Sequence, residues 1–202
     1  MKHTTVLLQN GLKSIMDSFG IMQRECKDIS DAYFKSGASA TVSALASDTT
    51  PATVATKFTK ANYTAGITLA DNLNKFFQNQ AVTTADYLAT LDALKYGNAT
   101  LATQLSVAVE EIGKRIYAMV QDCLSLVTQG RNLVEMYFDN EIGDIVSAFD
   151  ADRIIPGSEM TRTDLSLAVT MLQEWEKFFT NTAVTQADYS STVSRWLRLS
   201  LI

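Results

Sequence analysis

The sequence predicts an all-α protein built as a tandem duplication of one helical-bundle module, and three observations carry that prediction. The thirteen residues from Lys75 to Tyr87 return as Lys177 to Tyr189, identical at ten positions. Apolar residues recur in alternating steps of four and three, the period of a buried helix stripe rather than a strand, and a chain of 202 residues with only 2 prolines and 9 glycines has few breakers to interrupt it. A short helix-start signature occurs four times: an apolar residue, Thr, two residues, Asp or Asn, then Tyr or Leu.

The first element runs from residue 5 to about 35. Its seam is Leu8, Leu12, Ile15, Phe19, Met22, Cys26, Ile29 and Tyr33, an unbroken heptad stripe on one long helix. Gly11 and Gly20 lie inside it, each at a propensity cost of up to ~1 kcal/mol relative to Ala, which suits a close helix contact or a bend. Ser36-Gly37-Ala38-Ser39-Ala40 breaks the pattern, Val42 to Ala46 reads as a short helical piece, and Asp48-Thr49-Thr50-Pro51 reads as a loop or helix start.

Thr59, Thr83, Thr161 and Thr185 head the four helix-start signatures. A Thr at the N-cap accepts a bond from an orphan amide of the first turn, and the Asp or Asn three residues later can reach back to the cap's own amide. The flanking apolar pair forms a staple. These caps set a helix from about 60 to 78, a tight turn at Asn79-Gln80-Ala81, and a helix from about 84 to 96 closed by Gly97.

The second copy repeats the order. Its long-helix seam is Ile112, Ile116, Met119, Cys123, Leu126, Gly130, Leu133 and Tyr137, extended backwards by Val109 and Leu105. Tyr33-Phe34 matches Tyr137-Phe138, and Val42-Ser43-Ala44-Leu45 matches Val146-Ser147-Ala148-Phe149, both at an offset of 104. The offset falls to 102 beyond Arg153-Ile154-Ile155-Pro156-Gly157, so a loop has lost two residues. Thr163 to Phe179 then repeats the middle helix, with Leu172, Trp175 and Phe179 inward, and Tyr189, Val193 and Trp196 repeat Tyr87, Leu91 and Leu94. The module boundaries fall at 1–98 and 99–202, with each copy a long heptad helix, a short helix and two shorter helices. The copies are expected to pack as one pseudo-twofold unit.

Composition narrows function. A net charge of −5 with 17 scattered Lys and Arg argues against phosphate-backbone binding, so no nucleic acid is expected. No apolar run is long enough to span a bilayer. The Met1 to Gly11 segment starts like a signal peptide but has an apolar stretch of only three residues, which reads as synthesis and retention in cytoplasm until assembly.

The residue types for catalysis are sparse. The single histidine, His3, cannot build a triad or a histidine-containing metal site alone, and it reads as solvated. Phosphate-loop and nucleophile-elbow glycine motifs are missing. Cys26 and Cys123 read as buried thiols acting as small apolar side chains, with a disulfide as the alternative. Glu110-Glu111 and Asp139, Asn140, Glu141 and Asp144 read as solvated helix face or end rather than paired carboxylates or a cation site. Asp150-Ala151-Asp152 fails as a calcium loop, because Ile154, Pro156 and Thr161 stand at ligand positions. The expectation is therefore no enzyme, no cofactor and no metal.

Phe76-Phe77 and Phe178-Phe179, with Trp175 and Trp196, read as core at the helix corners, or with one aromatic of each pair turned out to a partner. The tail, with Trp196, Leu197, Leu199, Leu201 and Ile202, is the candidate interaction element, since alternating Leu could add to a neighbour or tuck into its groove.

The pattern Leu69, Phe76-Phe77, Asn79, Ala81-Val82-Thr83, Asp86-Tyr87 resembles small α-helical virion proteins of tailed bacteriophages, over residues 58–96 and 160–198. The resemblance implies a structural component of the virion, at the head–tail joint, neck or tail, made in the host cytoplasm. Its partners are then other protein subunits, in a homo-oligomer or ring within a larger assembly. The competing class is a membrane-acting or pore-forming helical bundle, motivated by the long amphipathic helices and apolar tail.

Overall fold

The computed structural model describes residues 2–45, 59–78, 80, 82–96, 107–179, 185 and 188. The protein is all-α. The helices among the described residues are α1 (Lys2–Lys35), α2 (Ala38–Ser43), α3 (Lys60–Phe77), α4 (Thr84–Tyr96), α5 (Val107–Asp139), α6 (Ile142–Ser147) and α7 (Arg162–Phe179). Extended pairing among them is limited to one antiparallel bridge, Ile154 with Thr161. The bounds follow the sequence offsets: α6 lies 104 positions beyond α2 and α7 lies 102 beyond α3, each with the same length as its counterpart.

The long helices bury the stripes that their spacing sets. On α1, Leu8, Leu12, Ile15, Phe19, Met22, Cys26 and Ile29 are buried, and Tyr33 is half-buried. On α5, Ile112, Ile116, Met119, Cys123, Leu126, Gly130, Leu133 and Tyr137 are all buried. The helix that follows with a matching cap is shorter than the long helix it packs on. At ~1.5 Å per residue, the 34 residues of α1 extend ~51 Å, whereas the 18 of α3 extend ~27 Å.

Compactness divides the chain accordingly, into Gly20–Leu124 and into Met1–Phe19 with Ser125–Ile202. Both long helices contribute residues to both units.

In the unit Gly20–Leu124, the second half of α1 and the first half of α5 share a core with α3 and α4. A Cβ added to Gly66 of α3 would run into Ile116 of α5, whose Cδ1 would lie at 2.9 Å, so the missing side chain sets how near those helices approach. The Arg115 guanidinium on α5 donates to Asp28 of α1 at 3.1 Å and to Glu111 of its own helix at 3.3 Å. The Ser30 hydroxyl on α1 donates to Asp71 of α3. Phe76 and Tyr87 close the α3–α4 corner, edge to face at 5.7 Å, and the Tyr87 hydroxyl donates to the Asn72 carbonyl at 2.5 Å. Phe77, half-buried, lies edge-on to Phe76 at 5.8 Å.

In the other unit, Phe19 of α1 packs on Trp175 of α7 at 4.9 Å. A Cβ on Gly11 would meet Leu133 of α5 at 2.6 Å, so Gly11 serves a close contact; Gly20 has nothing within 4 Å and serves none. Arg131 of α5 donates to Glu176 of α7 at 3.1 Å. Between α6 and α7 the chain turns at Ile155-Pro156-Gly157-Ser158, where Gly157 takes φ 88° and the Ser158 amide donates to the Ile155 carbonyl at 2.9 Å. Proline followed by a positive-φ glycine is the type II turn signature.

Two expectations need correction. The break after α1 is confined to Ser36-Gly37, and α2 begins at Ala38, not Val42. Gly37 reverses the chain in one residue at φ 76°, while the Ser36 hydroxyl donates to the Ala32 carbonyl and occupies one of the open acceptors at the helix end. The first helix also starts earlier than residue 5, at Lys2. The Asp48–Pro51 segment, Asn79 and Ala81 of the tight turn, the Gly97 cap, Leu105, Tyr189, Val193 and the side chains of Val109, Phe178 and Phe179 lie outside the described residues.

Candidate functional site

The four cap threonines carry the same reciprocal geometry. The Thr161 amide donates to Asp164 Oδ2 at 2.9 Å and the Asp164 amide donates to Thr161 Oγ1 at 3.2 Å. Thr59 and Asn62 do the same at 2.9 and 3.2 Å, Thr83 and Asp86 at 3.1 and 3.3 Å, and Thr185 and Asp188 at 3.1 and 3.3 Å. Bonds from the Thr83 and Thr185 hydroxyls and amides hold the Asp86 and Asp188 carboxyls below their ordinary range. One residue past each acceptor, Tyr63, Tyr87 and Leu165 are buried, so the caps aim the first inward side chain of α3, α4 and α7. Their work is folding.

Two corners follow the long helices. At the end of α1, Tyr33 and Phe34 lie edge to face at 4.9 Å and 83°; at the end of α5, Tyr137 and Phe138 lie at 4.9 Å and 77°. The tyrosines face inward, and the phenylalanines stand out, Phe34 61% and Phe138 50% exposed. Each pair is followed by one left-handed residue, Gly37 at φ 76° or Glu141 at φ 59°, and then by the short helix α2 or α6. The open carbonyls at the end of each short helix receive a cation from the next long element. Lys60 Nζ donates to the Ser43 carbonyl at 2.8 Å, and the Arg162 guanidinium donates to the Ser147 carbonyl at 3.1 Å. The seam spacing contained the signal for the outward rings, since a residue beside an inward position is turned ~100° away from it. The lysine and arginine contacts had no local signal, because they span a loop.

The cysteines meet methionines across α1 and α5. Cys26 Sγ donates to Met119 Sδ at 3.5 Å and Cys123 Sγ to Met22 Sδ at 3.2 Å, all four side chains being buried. Both cysteines are free thiols. Burial pushes the Cys123 thiol up to about 12, and burial with the neighbouring Cys123 holds Cys26 well above its usual value. A nucleophilic cysteine needs the thiolate at neutral pH, so these groups pack rather than react.

The carboxylates considered from sequence are dispersed. Glu110 pairs with Lys114 at 2.8 Å and Glu111 with Arg115 at 3.3 Å along the exposed side of α5. Asp139, Asn140, Glu141 and Asp144 are exposed around the corner after α5. Asp150 and Asp152 sit in a turn in which the Arg153 amide donates to the Asp150 carbonyl at 3.1 Å. Among the described residues no three His, Cys, Asp or Glu side chains gather in a group that could hold a metal ion. The side chain of His3 and the tail residues Trp196, Leu197, Leu199, Leu201 and Ile202 lie outside the described residues.

No family model, curated protein or solved structure matches the chain.

Proposed function

We propose that this chain is a non-enzymatic structural protein, a tandem duplication that works as a subunit of a larger assembly through protein–protein contacts. The observation that carries the reading is the pair of corners after α1 and α5. At equivalent positions of the sequence repeat, the fold holds Phe34 and Phe138 in fixed settings outside the core. Each ring leans on the tyrosine before it but leaves half or more of its surface to solvent, at the same place in both halves of the chain, and aromatic residues are enriched at interfaces.

The assembly we favour is a tailed-phage virion, at the head–tail joint, neck or tail, with the chain as a homo-oligomer or ring. The support is the sequence resemblance over residues 58–96 and 160–198, and the duplication itself, since a chain presenting two related surfaces suits a place where rings of different rotational order meet. Among the described residues no helix is long and apolar enough to cross a membrane.

The test is to separate phage particles from free protein on a density gradient and quantify the chain in each fraction by mass spectrometry. Co-migration with particles at a fixed copy number is the expected result. A chain found only among free proteins, together with leakage of dye from liposomes, would replace this reading with the membrane-acting one.

A further inference from the structure

Resting on the assembly reading, we propose that the Phe34 corner of one copy of this chain docks on the Phe138 corner of a second copy, making a head-to-tail contact. Charge separates the two corners although their backbones match. Around Phe34, between residues 31 and 43 and at position 60, the charged groups are Asp31, Lys35 and Lys60, a net positive set. At the equivalent positions around Phe138 they are Glu135, Asp139, Glu141, Asp144 and Arg162, a net negative set. The reversal is sharpest next to the ring, where Lys35 stands opposite in sign to its counterpart Asp139, and where Gly37 and Ala40 are replaced by Glu141 and Asp144.

All four carboxylates of the acidic corner are exposed, as is Lys35. Lys35 reaches Asp31 at 2.7 Å with its side chain still 74% exposed, so its charge remains available to a neighbour. Two acidic corners would repel and two basic corners would gain no attraction, whereas basic against acidic brings unlike charge together around two apolar rings. That pairing is heterologous, joining different surfaces of identical chains, and it propagates into a ring or an open chain according to the rotation between copies.

The division of labour follows from magnitudes. An exposed ion pair contributes about 0–1 kcal/mol, so Lys35 and the carboxylates set register and approach, while the rings supply the buried apolar surface. Two corners alone fall short of the roughly 1,200 Å² of a stable specific interface. A weak pairwise contact is therefore expected, strengthened when a ring closes or a particle holds many copies together.

Sedimentation velocity of the full chain, from low to high micromolar at low ionic strength, tests this contact. The wild-type chain is expected to associate reversibly, and Phe34→Ala or Phe138→Ala should each weaken association by about tenfold or more. An equimolar mixture of the two variants should regain a dimer, because each retains the surface the other lacks. Lys35→Glu and Asp139→Lys should each weaken association and, combined in one chain, restore it. All four positions are exposed, and unchanged helical circular dichroism verifies the fold of each variant. Association indifferent to these variants, or a mixture that stays monomeric, overturns the proposal. If the chain still co-migrates with particles, the assembly reading survives that outcome; a chain monomeric at every concentration and absent from particles removes both.

Discussion

Single positions show how closely the core is fitted. Gly20 and Gly66 both sit inside helices, where Ala is favoured by up to ~1 kcal/mol. They should nonetheless respond with opposite signs. Nothing lies within 4 Å of a Cβ at Gly20, so Gly20→Ala should raise the unfolding midpoint by the propensity difference. At Gly66 the methyl would strike the buried, β-branched Ile116, and overpacking of this kind costs about 1–3 kcal/mol, so Gly66→Ala should lower it. Urea denaturation of both variants checks the signs, and the Gly66→Ala/Ile116→Ala double variant should lose less than the sum of the two single losses, because the clash is removed with the side chain.

The buried thiols make a second residue-level expectation. Cys123 is held up to about 12 when folded and ionises near the ordinary 9.0 when unfolded. A folded pKa above the unfolded one gives stability that is full below about pH 9 and declines as pH rises towards about 12. Tyr63, pushed up to about 12 mainly by burial, adds to the same decline from its ordinary 10.0 upward. Denaturation midpoints should fall as pH rises from about 9 towards about 12, and Cys123→Ala should flatten that fall even while lowering stability at neutral pH. A pH-independent midpoint in the wild-type chain over that range would contradict the buried, protonated thiol.

At the scale of elements, the chain performs a comparison on itself. The residue between the long and short helix is Gly37 after α1 and Glu141 after α5, both with left-handed φ. A non-glycine residue there costs about 1–2 kcal/mol. Glu141→Gly should therefore stabilise the protein by about 1 kcal/mol, and Gly37→Glu should destabilise it by a similar amount, measured by thermal or urea unfolding. Loss of a cap has its own range: Thr161→Ala leaves the Asp164 amide without its oxygen acceptor and should cost about 0.5–2 kcal/mol.

These elements are also where the sequence was most legible. Cap chemistry is local, acting over three residues, so the starts of α3, α4 and α7 could be read from Thr59, Thr83 and Thr161 to within a residue. The long helices were legible because a seam sustained over eight positions has no strand interpretation. The start of α2 was misplaced by four residues, because Ser-Gly-Ala-Ser-Ala reads as loop by composition while a single left-handed glycine suffices for the reversal. The corners were legible only as a match between copies. That Phe34 and Phe138 stand outside follows from their place beside the inward tyrosines of each seam, whereas the hold of Lys60 and Arg162 on the short helices' ends depends on contacts across loops that no local pattern encodes.

At the scale of the whole molecule, the division into Gly20–Leu124 and Met1–Phe19 with Ser125–Ile202 follows from a mismatch of lengths. A stripe of about 38 Å, from Leu8 to Tyr33, outruns an 18-residue follower of about 27 Å, and each long helix gives one half of itself to each unit. Periodicity could reveal both stripes but not which half of each would be covered by which follower. The paired layers show the consequence. In the sequence repeat Cys26 matches Gly130 and Cys123 matches Phe19; the two cysteines meet methionine sulfurs, whereas Phe19 packs on Trp175 and a Cβ at Gly130 would meet Leu172 at 3.7 Å.

The claim that matters most is that the chain is an assembly subunit. Mass spectrometry of gradient-purified particles, quantifying this chain against a structural protein of known copy number, tests it most directly. A fixed integer ratio that survives further purification is the expected result. A chain that remains at the top of the gradient as free protein, with no reproducible ratio to any particle component, would contradict it.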